Sequence, residues 1–216
     1  MSNSESVGDG VRAEYHQMPT PGHRIDRAAS PLARGDRSTI SGPSPIMVTE
    51  HLNGHLILRG LPETLSAAVV KSLGLALPIA PLTSSVQGLV CIRWLGPDEW
   101  LLTLPFDNLA QAEADLRRSG GAEIALVDVS GGQTVLLVQG DSATQVLMKS
   151  TSYDVGLQNF PVGKVVTTTF AQAQVVLRRV NDATFELILR RSYADYLWAW
   201  LRDAATEFGL ASQDEA

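Results

Sequence analysis

Apolar and polar positions change period several times along the chain, and those changes mark out its elements. His55-Leu56-Ile57-Leu58-Arg59 reads as a strand, and Pro62, at the favoured first position of a helix, opens one that runs to about Leu73 before Gly74. Gln87 to Leu95 and Glu99 to Leu104 read as strands joined by the turn residues Gly96-Pro97-Asp98. Asp107 is then placed to cap a helix through about Arg118, closed by Gly120-Gly121. Ile124 to Ser130 and Gln133 to Gln139 read as a second hairpin across Gly131-Gly132, and Asp141 as the cap of a short helix to Met148. Strands at 164–172, 174–180 and 184–189 lead into a last helix from Ser192 to about Phe208. Hairpins dominate and helices follow them, which predicts an α+β fold with mostly antiparallel sheets. Strands such as Leu89 to Leu95, apolar at nearly every position, are expected to be covered on both faces.

One run is built twice. Trp94-Leu95-Gly96-Pro97-Asp98-Glu99-Trp100-Leu101-Leu102 returns as Val180-Asn181-Asp182-Ala183-Thr184-Phe185-Glu186-Leu187-Ile188, each a hairpin leading into a helix. Trp100 falls on Phe185, Leu104 on Leu189, Asp107 on Ser192 and Leu116 on Leu201, at a constant spacing of 85 residues (185 minus 100). Two similar α+β units packed as one body are therefore expected. On the last helix, Tyr193, Tyr196, Leu197, Trp200, Leu201, Ala204 and Phe208 share one stripe at about 100° per residue, the face expected to dock on a sheet. Trp198 lies off that stripe. An indole left in water forgoes a large burial, so Trp198 is the leading candidate for a subunit contact, with cover under a loop as the alternative.

Residues 1–45 hold five of the eleven prolines and no sustained apolar period, which reads as a tail, either disordered or an arm that orders against a partner through Ser30-Pro31-Leu32. Residues 46–210 read as a single α+β domain, and 216 residues suffice to bury a core without disulfides or metal. A net charge of −6 without basic clusters argues against nucleic acid, and no run approaches the roughly 18 apolar residues of a membrane span. The lone Cys91, in an apolar strand, reads as core packing in a reducing compartment, so a cytoplasmic protein is expected.

Candidate chemistry is sparse. The four histidines, His16, His23, His51 and His55, all precede position 56, and neither a HExxH motif nor a Cys/His cluster occurs. No glycine-rich phosphate loop follows a strand, so binding of flavin, NAD or nucleotide by this chain has no support. Asp128 and Asp154, beside Ser130 and Tyr153 near strand ends, could build a polar site, although capping and turn bonding explain such residues more often. Asp98 and Glu99, flanked by Trp94 and Trp100, suit a turn, an interface or an aromatic-walled pocket. Arg178-Arg179 and Arg190-Arg191 read as solvated charge.

The tryptophan-bracketed hairpin at 94–102 resembles the signature of the gamma subunit of heterotetrameric sarcosine oxidase. Ser30-Pro31-Leu32, Val127-Asp128-Val129-Ser130-Gly131-Gly132-Gln133, Gln139-Gly140-Asp141-Ser142-Ala143, Phe160-Pro161-Val162-Gly163 and Arg191-Ser192-Tyr193-Ala194-Asp195-Tyr196-Leu197-Trp198 agree with that family in order, over about residues 28 to 203. A weaker similarity links the chain to the folate-binding aminomethyltransferase (T-protein) fold. Asp128-Val129-Ser130, Gly140-Asp141-Ser142-Ala143 and Tyr153-Asp154-Val155 look like elements of that fold. Where those transferases place a glycine-rich hairpin ending in the carboxylate that meets folate, this chain has Phe170-Ala171-Gln172-Ala173-Gln174-Val175-Val176.

The resemblance implies a noncatalytic structural subunit of a complex that turns sarcosine, oxygen and tetrahydrofolate into glycine, hydrogen peroxide and methylenetetrahydrofolate. No cofactor is expected in this chain; FAD, FMN, NAD, zinc and tetrahydrofolate would be used elsewhere in the complex, with larger flavin-binding alpha and beta subunits and a small delta subunit as partners. Subunit contacts are expected at Trp198, Trp94, Trp100, Pro31 and Leu32, and a degenerate folate pocket at Asp128, Tyr153 and Asp154. Two alternatives stay open, the small subunit of an N-methylglutamate dehydrogenase-type complex and a stand-alone folate-binding module. An independent one-carbon transferase would lack its carboxylate.

Overall fold

A computed structural model describes residues 30–32 and 35–214. Eleven strands and four α-helices follow in order: β1 (Ile46–His51), β2 (Asn53–Arg59), α1 (Pro62–Leu73), β3 (Ser84–Gln87), β4 (Val90–Gly96), β5 (Glu99–Pro105), α2 (Leu109–Gly120), β6 (Ala125–Asp128), β7 (Gln133–Gln139), α3 (Ala143–Met148), β8 (Val165–Phe170), β9 (Ala173–Asn181), β10 (Thr184–Arg190), α4 (Ala194–Ala204) and β11 (Leu210–Asp214). They form a five-stranded sheet, β3-β4-β5-β2-β6, and a six-stranded sheet, β11-β1-β7-β10-β9-β8. Every ladder is antiparallel except β1 with β11, so the α+β class expected from the pattern holds.

The duplication is structural. β5 and β10 share the same length, each followed by a short 3-10 turn (Phe106–Asn108, Arg191–Tyr193) and then by α2 or α4. Each unit runs strand, helix, three strands, helix, strand, a split βαβ-like arrangement in which the last of the three strands inserts beside the first (β5 beside β2, β10 beside β7). Alternation along the strands sorts the side chains. Leu56, Leu58, Trp100 and Leu102 face α1 and α2; Leu136, Leu177, Phe185 and Leu187 face α3 and α4. Leu101 lies with Val135 and Ile188 of the other sheet, so the two sheets pack face to face with helices outside.

Several details depart from the sequence reading. Ile124 to Gln139 is not a hairpin, because β6 pairs with β2 while β7 pairs with β1 and β10; the chain changes sheets at Gly131-Gly132. Periodicity gives no warning of this, since both strands alternate correctly and only their partners differ. Asp107, Ser192 and Asp141 do not cap through their side chains, because a 3-10 turn, or Ser142 for α3, occupies the helix entrance. β1 and β11 carry too short an apolar pattern to stand out.

The last helix ends at Ala204, and its buried stripe is Ala194, Leu197, Trp198, Leu201 and Ala204, rotated from the expected one so that Trp198 lies inside. Tyr193 and Tyr196 stay at the surface, 44% and 40% exposed.

The rotation has a cause. Residues 30–32 and 35–45 are an arm folded onto the second unit. Leu32 is buried in its core, the Trp198 indole donates to the Asp36 carbonyl at 2.9 Å, and Arg202 donates to the Asp36 carboxylate and the Ser38 carbonyl. Gly42 crosses Gly209 backbone to backbone; a Cβ at Gly42 would lie 2.1 Å from the Phe208 carbonyl oxygen. The described part of the expected tail, residues 30–32 and 35–45, thus packs as part of the second unit, while residues 1–29 and 33–34 lie outside the described residues.

Candidate functional site

The most polar buried region lies between the two sheets. Arg93 on β4 donates through Nε to Glu186 on β10 at 2.8 Å, and through Nη1 to the Thr103 hydroxyl at 2.7 Å. Arg178, opposite Glu186 on β9, donates to the same carboxylate at 3.1 and 3.2 Å. The 85-residue spacing maps Arg93 onto Arg178 and Leu101 onto Glu186, so two equivalent arginines converge on one acid that only the second unit carries. Burial alone would raise the Glu186 pKa, but the two guanidiniums outweigh it and hold the carboxyl at about 2. Arg178 and Arg179 are therefore buried, contrary to the expected solvated charge. Alternation points Arg178 into the inter-sheet layer, whereas the Arg179 guanidinium sits 4.4 Å from the Phe185 ring centroid and donates to the Val155 and Asp182 carbonyls.

His55 belongs to the same layer. It is fully buried, neither ring nitrogen has a partner, and burial with the nearby Arg93 charge lowers its pKa to about 4. Cys91 is buried as expected, and burial raises the pKa of its thiol. A neutral imidazole and a protonated thiol, sealed from solvent and without a hydrogen bond between them, do not form an activated nucleophile pair.

The folate-pocket candidates are taken up by local bonds. The Asp128 carboxylate accepts from the Ser130 backbone N–H at 2.9 Å and from the Ser130 hydroxyl at 2.6 Å, closing the turn at the end of β6. Ser130 in turn accepts from the His55 N–H at 2.9 Å. Asp154 sits in an exposed turn after α3, where the Gly156 N–H and the Asn159 side-chain amide bind its carboxylate and hold its pKa below the usual range. The Tyr153 ring packs edge-on to Phe160, and its hydroxyl donates to the Asn159 carbonyl. Asp128 serves the junction between the sheets, while Tyr153 and Asp154 serve a loop of the second unit. They do not present a convergent set of polar groups that would fit a pterin.

The hairpin between β8 and β9 is Phe170 to Ala173, with Ala171 at a φ of 51°. That turn keeps a backbone natural to glycine without a glycine, and it carries no acid.

Among the interface candidates, Trp100 is fully buried and donates to the Pro78 carbonyl at 2.7 Å, so its role is core packing rather than contact. Trp94 is its cross-strand neighbour and only half-buried. Trp198 is 3% exposed and Leu32 2%, each covered by this chain itself, and Pro31 is half-buried. Asp98 and Glu99 in the turn pair with Arg59 across the sheet edge. Sequence reasoning missed Arg93, Arg178 and Glu186, although the 85-residue spacing combined with strand alternation places all three facing the other unit. Among the described residues no cluster of His, Cys, Asp and Glu could hold a metal, and no helix is long and apolar enough to cross a membrane.

The chain superposes on the glycine cleavage system aminomethyltransferase T from Bartonella henselae with a TM-score of 0.55 at 17% identity, covering 78% of this chain and 48% of that one. A nearer likeness is a chain of the heterotetrameric sarcosine oxidase from Corynebacterium sp. U-96, with a TM-score of 0.74 at 28% identity, over 82% of this chain and 93% of that one. The sarcosine oxidase subunit gamma of Corynebacterium sp. (strain U-96) is 30% identical over 87% of this chain and 93% of its own length. Residues 61–207 match the sarcosine oxidase, gamma subunit family, and the chain belongs to that family.

Proposed function

We propose that the chain is a noncatalytic structural subunit of a heterotetrameric sarcosine oxidase, a complex that oxidises sarcosine with oxygen to glycine and hydrogen peroxide and passes the methyl carbon to tetrahydrofolate. The observation that carries this reading is the family match over residues 61–207. In this reading FAD, FMN, NAD and zinc belong to larger alpha and beta subunits and a small delta subunit, and the assembly is cytoplasmic. The noncatalytic role draws support from the local chemistry. Asp128 and Asp154 are committed to turns, the 170–173 hairpin has no carboxylate, and His55 and Cys91 are sealed in the core.

The test is affinity purification of the chain under native conditions from its own source, read by mass and visible absorbance. Co-purification of larger chains with flavin absorbance is the expected result; a colourless single chain overturns the reading. The isolated chain, titrated with tetrahydrofolate, is expected to show no micromolar binding. Micromolar affinity would count against a purely structural role.

A further inference from the structure

A chain held in a complex that forms hydrogen peroxide meets that oxidant with its own sulfur atoms, and the fold ranks them. The sequence has one cysteine and four methionines, of which Cys91, Met47 and Met148 lie among the described residues. An exposed cysteine is the group that peroxide ordinarily takes first, because part of it is thiolate at neutral pH and the thiolate is the reacting form. Here that thiol is out of reach. Cys91 is 5% exposed, opposite Thr103 on β5 and Val86 on β3, and burial raises its pKa, so access and ionisation are withdrawn together.

Met47 is half-buried on β1, held in register between Gln139 of β7 and Ala211 of β11. Met148 is the opposite case. α3 buries Ala143, Val146 and Leu147, and at about 100° per residue Met148 lies about 140° around the helix from Ala143, turned away from that stripe. It is 54% exposed. This exposure is not the fraying of a loose helix end. The Ser150 and Thr151 N–H groups donate to the Leu147 carbonyl at 2.9 and 3.0 Å, and the Lys149 ammonium donates to the Ala204 carbonyl at 3.0 Å while lying 4.8 Å from the Phe208 ring centroid. The fold therefore fixes one thioether in water and seals the thiol, which reverses the ordinary order of attack.

We propose that Met148 is a peroxide-oxidation site, the first of the described sulfurs to react in the folded chain, and that peroxide released by the oxidase complex reaches it during turnover. The inference rests on the complex reading for the source of the peroxide alone. In the step, a lone pair of Sδ attacks one oxygen of hydrogen peroxide, an S–O bond forms and the O–O bond breaks. The proton on the transferred oxygen passes to the departing hydroxide, so the products are methionine sulfoxide and water; the sulfur loses two electrons and the peroxide gains them. Oxidation of a core methionine disrupts packing, whereas a sulfoxide on the outer side of α3 places its oxygen in solvent and leaves the fold intact.

The experiment exposes the purified full chain to hydrogen peroxide and follows its tryptic peptides by mass. Cleavage after lysine and arginine separates the three sulfurs, Met47 in 38–59, Cys91 in 72–93 and Met148 in 119–149. Peptide 119–149 should gain one oxygen at least about threefold faster than 38–59, with 72–93 unchanged while the chain is folded. Met148→Leu should abolish the gain in that peptide, and both this variant and the oxidised chain should melt as the wild type does. In denaturant the order should invert, with Cys91 reacting first. Equal rates at Met47 and Met148, loss of the Cys91 thiol before Met148 reacts, or an order unchanged by denaturant would each overturn the proposal. The same peptides are then followed in the purified complex supplied with sarcosine, where oxidation of Met148 should appear and catalase should suppress it. A complex that releases peroxide yet leaves Met148 unoxidised also overturns the proposal. A preparation that forms no peroxide from sarcosine overturns the complex reading instead, and the arm with added peroxide then decides for Met148 alone.

Discussion

Replacing Leu32 by Ala tests whether the arm belongs to the fold. Leu32 is 2% exposed and lies in the same apolar cluster as Val48, Leu197 and Trp198. Truncating a fully buried leucine removes the transfer energy of its outer carbons and leaves a cavity, a loss of about 2–5 kcal/mol that depends on how far the site collapses. Collapse is restricted on two sides, because Trp198 is pinned by its bond to Asp36 and the crevice among Leu32, Arg37, Val48, Glu50, Trp198 and Ser212 is already too tight for a water molecule. About 3 kcal/mol is therefore the expected cost, and for a chain of this size each kcal/mol lowers the melting temperature by about 2–4 °C. Urea unfolding, followed by the fluorescence shift of the four tryptophans, Trp198 among them, gives the measurement. Removing residues 30–45 should cost more than Leu32→Ala, because the 6% exposed Glu50 also loses Arg37 and the Ser30 hydroxyl. A Leu32→Ala midpoint within about 0.5 kcal/mol of wild type, the range of ordinary surface changes, would refute the claim that the arm is part of the packed structure.

Glu186→Gln leaves two buried guanidiniums facing a neutral amide and should destabilise by about 3–5 kcal/mol in chemical denaturation; an effect below about 1 kcal/mol would mean that water reaches the layer. Its carboxyl is held at about 2, below its unfolded value, so its contribution is present above about pH 4.5 and is lost as pH falls toward 2; the variant should lack that acid-side loss. His55 is likewise depressed, to about 4 from 6.5, so the unfolded chain binds the extra proton and stability falls as pH drops from about 6.5 to 4. His55→Leu should flatten that window and be neutral or stabilising at pH 7.5, since it removes two unpartnered buried nitrogens; a preserved pH dependence would show that another group titrates there. Ala171→Gly should raise stability by about 0.5–1 kcal/mol by relieving the left-handed φ, and a loss in thermal melts would show that the alanine methyl packs usefully.

The patterns that made the class legible were local ones. The 85-residue spacing and the period of each strand and helix fixed two hairpin-helix units, because side-chain alternation is set by the residues themselves. Partnership was not legible. Nothing within Ile124 to Gln139 states that its two strands enter different sheets, and nothing within Ile46 to His51 states that the strand joins the distant second unit. Trp198 shows the same limit. Helical spacing placed it off the buried face because the residues that bury it, Leu32, Gly35 and Asp36, lie more than 160 positions away and carry no period of their own. The functional residues were hidden for a related reason: Arg93, Arg178 and Glu186 look like unremarkable strand charges until two sheets bring them together.

β1 is the second element in from one end of the six-stranded sheet, between β7 and β11. Its register joins Ile46 to Leu210 on one side and Val48 to Val138 on the other. During synthesis this strand leaves the ribosome well before either neighbour, since β7 follows some ninety residues later and β11 some seventy residues after that. The first unit can close behind it, since β2 to β6 pair only among themselves. β1 must wait, an exposed template for wrong pairing, and such long-range closure is slow. Assembly of the second unit is thus a late event that draws residues 46–51 against residues 210–214, and a nascent chain stopped before residue 210 would leave β1 with one unpaired edge.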